Sequence, residues 1–156
     1  MNVDDKDDKI LALIQKNNSL TREQIGREVN MSPTGVVKRL KKLHKSGLIE
    51  GTVAVLDLKA IGPFVSALVW CSFDPDGPST VDQFMECVLP RAEITNAWVV
   101  TGEVDVVLLV MSRTLDEYEA ALRRLQADFP QLKNIRTHVV LRWSKRGLAI
   151  PFSAAS

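Results

Sequence analysis

The hydrophobic pattern changes character near Gly47. Before it, apolar residues recur at helical spacing: Ile10, Leu13 and Ile14 in a first segment, Ile25 and Val29 in a second, and Val36, Leu40 and Leu43 in a third. That spacing puts each set on one stripe of a helix. The start signals agree. A cluster of aspartates opens the first segment, where negative charge suits the helix dipole. Thr21 and Gln24 have capping-box spacing at the head of the second. Ser32 can cap the third, with Pro33 tolerated in its first turn, and Gly47 can end it.

Beyond Gly47 the pattern becomes extended. "LIEGTVAVLDL" is rich in β-branched residues, and "KAIGPF" reads as a bend and linker. From Phe64 onward the order is strand, helix, strand, strand, helix, strand. The predicted strands are "PFVSALVWCSF", "EITNAWVV", "VDVVLLVM" and "IRTHVVLRWS"; the predicted helices are "STVDQFMECVL" and "TLDEYEAALRRLQADF". The second helix carries a stripe of Leu115, Tyr118, Leu122, Leu125 and Phe129, with Thr114 and Glu117 spaced as a capping box. A βαββαβ order is the ferredoxin-like arrangement. The fold class expected is therefore α+β: a three-helix helix-turn-helix domain (1–50), a linker strand and bend (51–63), and a ferredoxin-like domain (64–156).

Two helices cover one face of a four-stranded antiparallel sheet. The first strand is nevertheless apolar on both faces, with Phe64, Leu68 and Trp70 on one and Val65, Ala67, Val69 and Cys71 on the other. The strand from Val104 to Met111 is likewise apolar on both sides. A sheet face open to water should alternate with polar residues. The pattern therefore predicts a homodimer with sheets stacked face to face.

Composition narrows the class. Apolar residues make up 46% of the 156 and charged residues 25%, ordinary for a globular protein. Cys71 and Cys87 form no CxxC pair, so neither a disulfide framework nor a metal site is indicated. The polar, acidic start does not read as a signal peptide, and the apolar run from Ile61 to Cys71 is too short to span a bilayer. The expectation is a cytoplasmic protein that uses no membrane and no cofactor.

The net charge is only +1, but its distribution is uneven. Residues 1–50 carry ten Lys/Arg against seven Asp/Glu, and residues 51–156 carry ten against twelve. Lys38 to Lys45 holds five Lys/Arg and one histidine in eight positions, and no acid occurs between Glu28 and Glu50. With Val36, Leu40 and Leu43 turned inward, Thr34, Val37, Lys38, Lys41, Lys42 and Lys45 face outward. A lysine-rich outer face is most often just solvated. Here the preceding helix, the tight turn "VNMS" and the absence of pairing acids give helix-turn-helix layout, with a third helix suited to the DNA major groove. Ser32, Thr34 and Lys38 would lie nearest the bases. Thr21, Arg22, Pro33, Lys41, Lys42 and Lys45 complete the interface, with Arg22 and the last three lysines towards phosphates. Arg39 is read as serving the fold, or a backbone phosphate, rather than a base.

"VNMSPTGVVKRLKKLHKSGLIEG" resembles the helix-turn-helix signature of the leucine-responsive/asparagine regulator (Lrp/AsnC) family of prokaryotic transcription factors, in the order Ser32-Pro33, Val36, Arg39-Leu40, Leu43, Gly47, Ile49, Gly51. "VVTGEVDVVLLV" is similar to the family's Gly-acid-x-Asp turn, and "GLAIPF" to the ending of many members. The resemblance implies dimerisation through the C-terminal domain and the linker strand about Gly51 to Leu56, and assembly of dimers into octamers. It also implies a small effector, usually an amino acid, bound between dimers near Thr101, Gly102, Glu103, Val104 and Asp105. Arg136, Thr137 and His138 would contribute from a neighbouring subunit. Read without the resemblance, the same stretch is a hairpin turn with two solvated acids. Three positions depart from the family pattern. Gly26 stands where alanine is usual, a small cost in helix stability. Asn30 replaces a turn glycine but tolerates the left-handed conformation. Val106 stands where an aromatic is frequent.

No Ser-His-Asp order, HExxH or Gly-rich phosphate loop is present, so no catalytic residue is assigned. His44 is read as a phosphate or solvent contact, and Asp74 and Asp76 as a turn. Two alternatives stay open at this level. One is a tetrapyrrole decarboxylase of similar architecture. The other is an effector-binding assembly protein that does not touch DNA.

Overall fold

A computed structural model describes residues 3–73, 79–147 and 149–152. The chain divides into two units: one holds the residues up to Val55 together with the segment from Lys145 onward, the other Leu56–Ser144.

The first unit contains α1 (Asp5–Lys16), α2 (Arg22–Glu28) and α3 (Pro33–Lys45). Its core is built from the helical stripes, with Ile10, Ile25, Val36 and Leu43 fully buried. Each such side chain contributes roughly 1.5–3 kcal/mol by leaving water. Asp4 caps α1 and forms a reciprocal box with Asp7, and Thr21 with Gln24 does the same for α2. Gly47, at φ 76°, ends α3: its N–H donates to His44 O and the Leu48 N–H to Leu43 O.

The turn between α2 and α3 corrects the reading of Gly26. Met31 N–H donates to Gly26 O at 2.8 Å, and Asn30 takes φ 52° as expected. A Cβ on Gly26 would stand 2.5 Å from Met31 O. The glycine is there because backbone occupies the space of a side chain, which outweighs its helix propensity.

The tail returns to this unit. Ile150 N–H donates to Gln15 Oε1 at 2.8 Å while Gln15 Nε2 donates to Ile150 O at 3.3 Å, and Phe152 packs against the helical core.

The second unit runs β1 (Val65–Phe73), α5 (Ser79–Val88), β2 (Ile94–Val99), β3 (Val106–Ser112), α6 (Leu115–Asp128) and β4 (Leu132–Val139), preceded by the short α4 (Leu58–Ile61). The sheet order is β2-β3-β1-β4 with antiparallel neighbours, as the βαββαβ pattern predicts. Ala67, Val69, Cys71, Val106, Leu108 and Val110 meet Phe84, Val88, Tyr118 and Leu125 of the two helices. Phe73, Phe84 and Phe129 pack edge to face at its centre. Burial pushes the Cys71 thiol up to about 12.

Three boundaries differ from the sequence expectation. β4 begins at Leu132, which reaches Phe73 past an irregularity at Ser72, and ends at Val139. Val140 still donates to Ser66 O, but the ladder is not carried on to Val65 at the start of β1, and "LRWS" stays outside it. The stretch before Asp57 forms no ladder in the single chain, and the expected bend starts with the helical turn α4, capped by Asp57 and closed at Gly62, φ 115°. Thr114 accepts from Glu117 N–H, but the Glu117 carboxylate takes the Arg113 N–H instead of returning to Thr114. Asp74 and Asp76 lie outside the described residues.

Candidate nucleic-acid interface and effector turn

α3 is held by its apolar side and offers the rest. Val36, Leu40 and Leu43 are buried, while Ser32, Pro33, Thr34, Val37, Lys38, Lys41, Lys42 and Lys45 are exposed. Ser32 Oγ accepts from Gly35 N–H at 3.2 Å and so caps the helix. Its hydroxyl proton is still available to donate, as a phosphate or a base acceptor requires. Thr21 stands similarly at the head of α2: its Oγ accepts from Gln24 N–H at 3.2 Å, and Arg22 follows, exposed. The same turn carries Glu23, whose carboxyl is held below its ordinary value by its own backbone N–H and then by Thr21. No group of three His, Cys, Asp or Glu side chains that could hold a metal ion is formed among the described residues.

Arg39, within the same basic cluster, points elsewhere. Its Nη1 lies 2.6 Å from Asp4 Oδ2 and 2.7 Å from Asp7 Oδ1. The aspartates at the chain start are therefore more than helix-start charge, since Asp7 is buried as the acceptor of this pair.

In the second unit, Thr101, Gly102 and Glu103 are exposed at the β2–β3 turn, and Val104 and Asp105 are half-buried. Gly102 has φ 123°, a conformation that favours glycine. The turn is closed by Val100 N–H donating to Asp105 O at 2.9 Å, and Asp105 N–H donating to Cys71 O at 3.0 Å. Asp105 Oδ2 accepts from Phe73 N–H at 3.0 Å. One of the two acids of the turn thus already holds the end of the central strand, leaving Glu103 as the exposed carboxylate.

The expected β4 contributors do not share a face. Thr137 lies under the helices, its hydroxyl 2.6 Å from Tyr118 Oη. Burial raises the Tyr118 phenol, opposed by that bond. Arg136 pairs with Trp70 and His138 with Leu68 on the opposite face, where the His138 ring lies 5.3 Å from Trp70. β4 is also separated from β3 by β1. Two strand spacings, about 9.5 Å, therefore part Arg136 from the turn within one chain.

That second sheet face carries Ser66, Leu68, Trp70, Val107, Leu109 and Met111, with α5 and α6 both on the other side. Ser66 and Leu109 are buried already; Leu68, Trp70, Val107 and Met111 are half-buried. Among the described residues, Trp70 Nε1 is buried without an acceptor. Sequence reasoning placed Trp70 on this face but missed its unpaired indole N–H, and missed the Gln15–Ile150 clasp, because neither leaves a mark in periodicity.

Residues 66–150 match the family profile described as "Lrp/AsnC ligand binding domain", and residues 3–50 one described as "Winged helix-turn-helix DNA-binding". The chain is 34% identical to the HTH-type transcriptional regulator y4tD of Sinorhizobium fredii, over 97% of this chain and 89% of that one. It is 28% identical to the DNA-binding transcriptional activator DecR of Escherichia coli, over 96% and 98%. A crystal structure of an AsnC family transcriptional regulator from Agrobacterium tumefaciens superposes with a TM-score of 0.85 at 24% identity, covering 95% and 96% of the two chains. The regulator NMB0573 of Neisseria meningitidis, solved as a complex with L-Met, gives 0.85 at 22% identity over 96% and 97%.

Proposed function

We propose, from the premise that this chain belongs to the Lrp/AsnC family of transcriptional regulators, how its own residues divide the work of binding DNA and an effector. The chain is a DNA-binding transcriptional regulator and not an enzyme, which sets the decarboxylase alternative aside. In this reading residues 1–50 hold the DNA, 51–63 link, and 64–156 sense and assemble.

α3 enters the major groove with Ser32, Thr34 and Lys38 nearest the bases. Arg22, Lys41, Lys42 and Lys45 face phosphates, and Thr21 and Pro33 shape the helix starts. The observation that carries this is the split within one helix: its apolar residues and Arg39 are taken by the fold, and its lysines are turned outward. Lysines placed there neutralise phosphates and release counterions.

A second copy covers the sheet face around Leu68 and Trp70 and supplies an acceptor for the Trp70 indole. Dimers assemble further, with the octamer as the expected form. The exposed Val53, Val55 and Leu56 of the linker support the same association. The work is done in the cytoplasm, where the DNA is. A small amino acid is the effector, held at the turn with its carboxylate on backbone amides near Gly102 and its ammonium towards Glu103. The L-Met bound by the Neisseria regulator supports this class of ligand. Because Thr137 is bonded under the helices, Arg136 and His138, not Thr137, are the β4 residues a neighbouring subunit can offer.

The test is a mobility shift on duplex DNA from the region upstream of its own gene, with and without a panel of amino acids. Lys38→Gln, Lys41→Gln and Lys42→Gln together should reduce the log–log salt slope of binding by about 0.9 for each phosphate that is no longer neutralised. Unchanged affinity and slope in that variant would overturn the assignment of α3.

A further inference from the structure

The basic residues of the helical unit are not confined to α3. After Asp128 the chain carries five Lys/Arg and not one acid. Two of them, Lys145 and Arg146, lie on the segment that belongs to the helical unit, and both are exposed. The segment is pinned at a defined place. Ile150 makes two backbone bonds to the Gln15 amide in the last turn of α1, and Phe152 packs into the same core as Val36 and Leu43. Gln15 is followed by the exposed Lys16, and from there the chain turns into Thr21 and Arg22 at the head of α2. Ile150 lies four residues beyond Arg146, a reach of at most about 14 Å. Lys145, one residue earlier, reaches at most about 18 Å, so both bases are tethered to the end of α1.

We propose that Lys145 and Arg146 form a second phosphate-binding element, which extends the DNA contact beyond the groove entered by α3 onto the flanking backbone. The inference rests on the reading of α3 as the DNA-binding helix. Its chemistry carries no sequence information, since phosphate contacts fix position and strength while base edges specify. The tail therefore adds affinity equally to all sequences.

The experiment compares three full-length variants on the same upstream duplex across a KCl titration. Lys145→Gln with Arg146→Gln should lower the salt slope by about 1.8 per chain, two phosphates at about 0.9 each, and keep the wild-type thermal midpoint. The charge-preserving Lys145→Arg with Arg146→Lys should retain the slope. Phe152→Ala, which loosens the tail from the core, should lower the thermal midpoint of the helical unit. A wild-type slope in the glutamine variant overturns the proposal, as does a thermal midpoint that falls as far as in Phe152→Ala, which would mark the bases as braces of the fold. Failure of the α3 lysine variant to change binding would instead sink the reading beneath it, so the two failures are distinguishable.

Discussion

Arg39 Nη1 donates to Asp7 Oδ1 at 2.7 Å across 32 residues of chain, fastening the middle of α3 to the start of α1. The two partners are unequally placed: Asp7 is 1% exposed, whereas Arg39 keeps 26% of its side chain in water. Removing the base leaves a buried carboxylate without its cation, a strongly destabilising change. Arg39→Met should cost on the order of 3 kcal/mol of stability, the lower end of what breaking a buried pair costs. Arg39→Met with Asp7→Leu should recover most of that loss, because no unpaired charge remains. Urea unfolding followed by helical circular dichroism reads both; equal losses would show that the pair does not act as a pair.

The second acid of the clasp gives a pH signature. The Arg39 hydrogen bond, followed by the Asp7 N–H, holds the Asp4 carboxyl below its ordinary value of 3.8. A depressed folded value means that the stabilisation is complete above 3.8 and is lost as pH falls through the lower folded value. The thermal midpoint of the helical unit should drop in that acid range. Asp4→Asn should flatten this part of the profile while lowering the plateau at neutral pH. An unchanged profile would remove Asp4 from the account.

Gly26 and Gly35 separate two reasons for a glycine in a helix. At Gly26 an added Cβ meets the Met31 carbonyl oxygen at 2.5 Å, and backbone cannot step aside without opening the turn. Gly26→Ala should destabilise by about 1–3 kcal/mol, as overpacking does. At Gly35 the nearest atoms are Met31 Cε at 3.1 Å and Ser32 Oγ at 3.3 Å, both on side chains that can shift. Gly35→Ala gains up to about 1 kcal/mol of helix propensity and should come out near neutral. Calorimetry on the two variants tests the contrast, which fails if they behave alike.

The apolar sheet face should fail as an interface when charged. Leu68→Glu puts a carboxylate on the central strand opposite the helices, beside Trp70 and Leu109, where a second copy would have to desolvate it. Sedimentation velocity should show the wild type as a dimer or larger and the variant shifted to monomer, with the far-ultraviolet spectrum retained. An unshifted variant would place the interface elsewhere.

Much of this fold can be read from periodicity. The stripes Val36–Leu40–Leu43 and Tyr118–Leu122–Leu125–Phe129 sit where helical spacing puts them, except that Leu115, expected at the head of the second, is exposed; the strand order follows from the βαββαβ succession. The proposed DNA-facing residues were legible for the same reason, since a helix with one greasy side must turn its lysines outward. What escaped depends on contacts between distant residues. Nothing near Gly26 announces that Met31 fills its space. Nothing in "DDKDDK" says which aspartate is swallowed by Arg39. β4 stops pairing at Val139 although β1 continues to Val65, which no local pattern announces, and the division of Arg136, Thr137 and His138 between two faces follows from β4's register against β1. The effector positions were named by resemblance, and their separation across β1 appears only once the sheet is assembled.

The bond from Phe73 N–H to Asp105 Oδ2 joins the mouth of the β2–β3 turn to a residue whose ring stacks edgewise on Phe84 and Phe129. Three aromatic rings in such contact throw strong, orientation-dependent ring currents on the protons around them. If the proposed effector displaces the Asp105 carboxylate, the Phe73 backbone should move with it and shift the first of these rings. Displaced resonances of core protons on adding an amino acid would therefore report the proposed occupancy of the turn, without a label and without DNA.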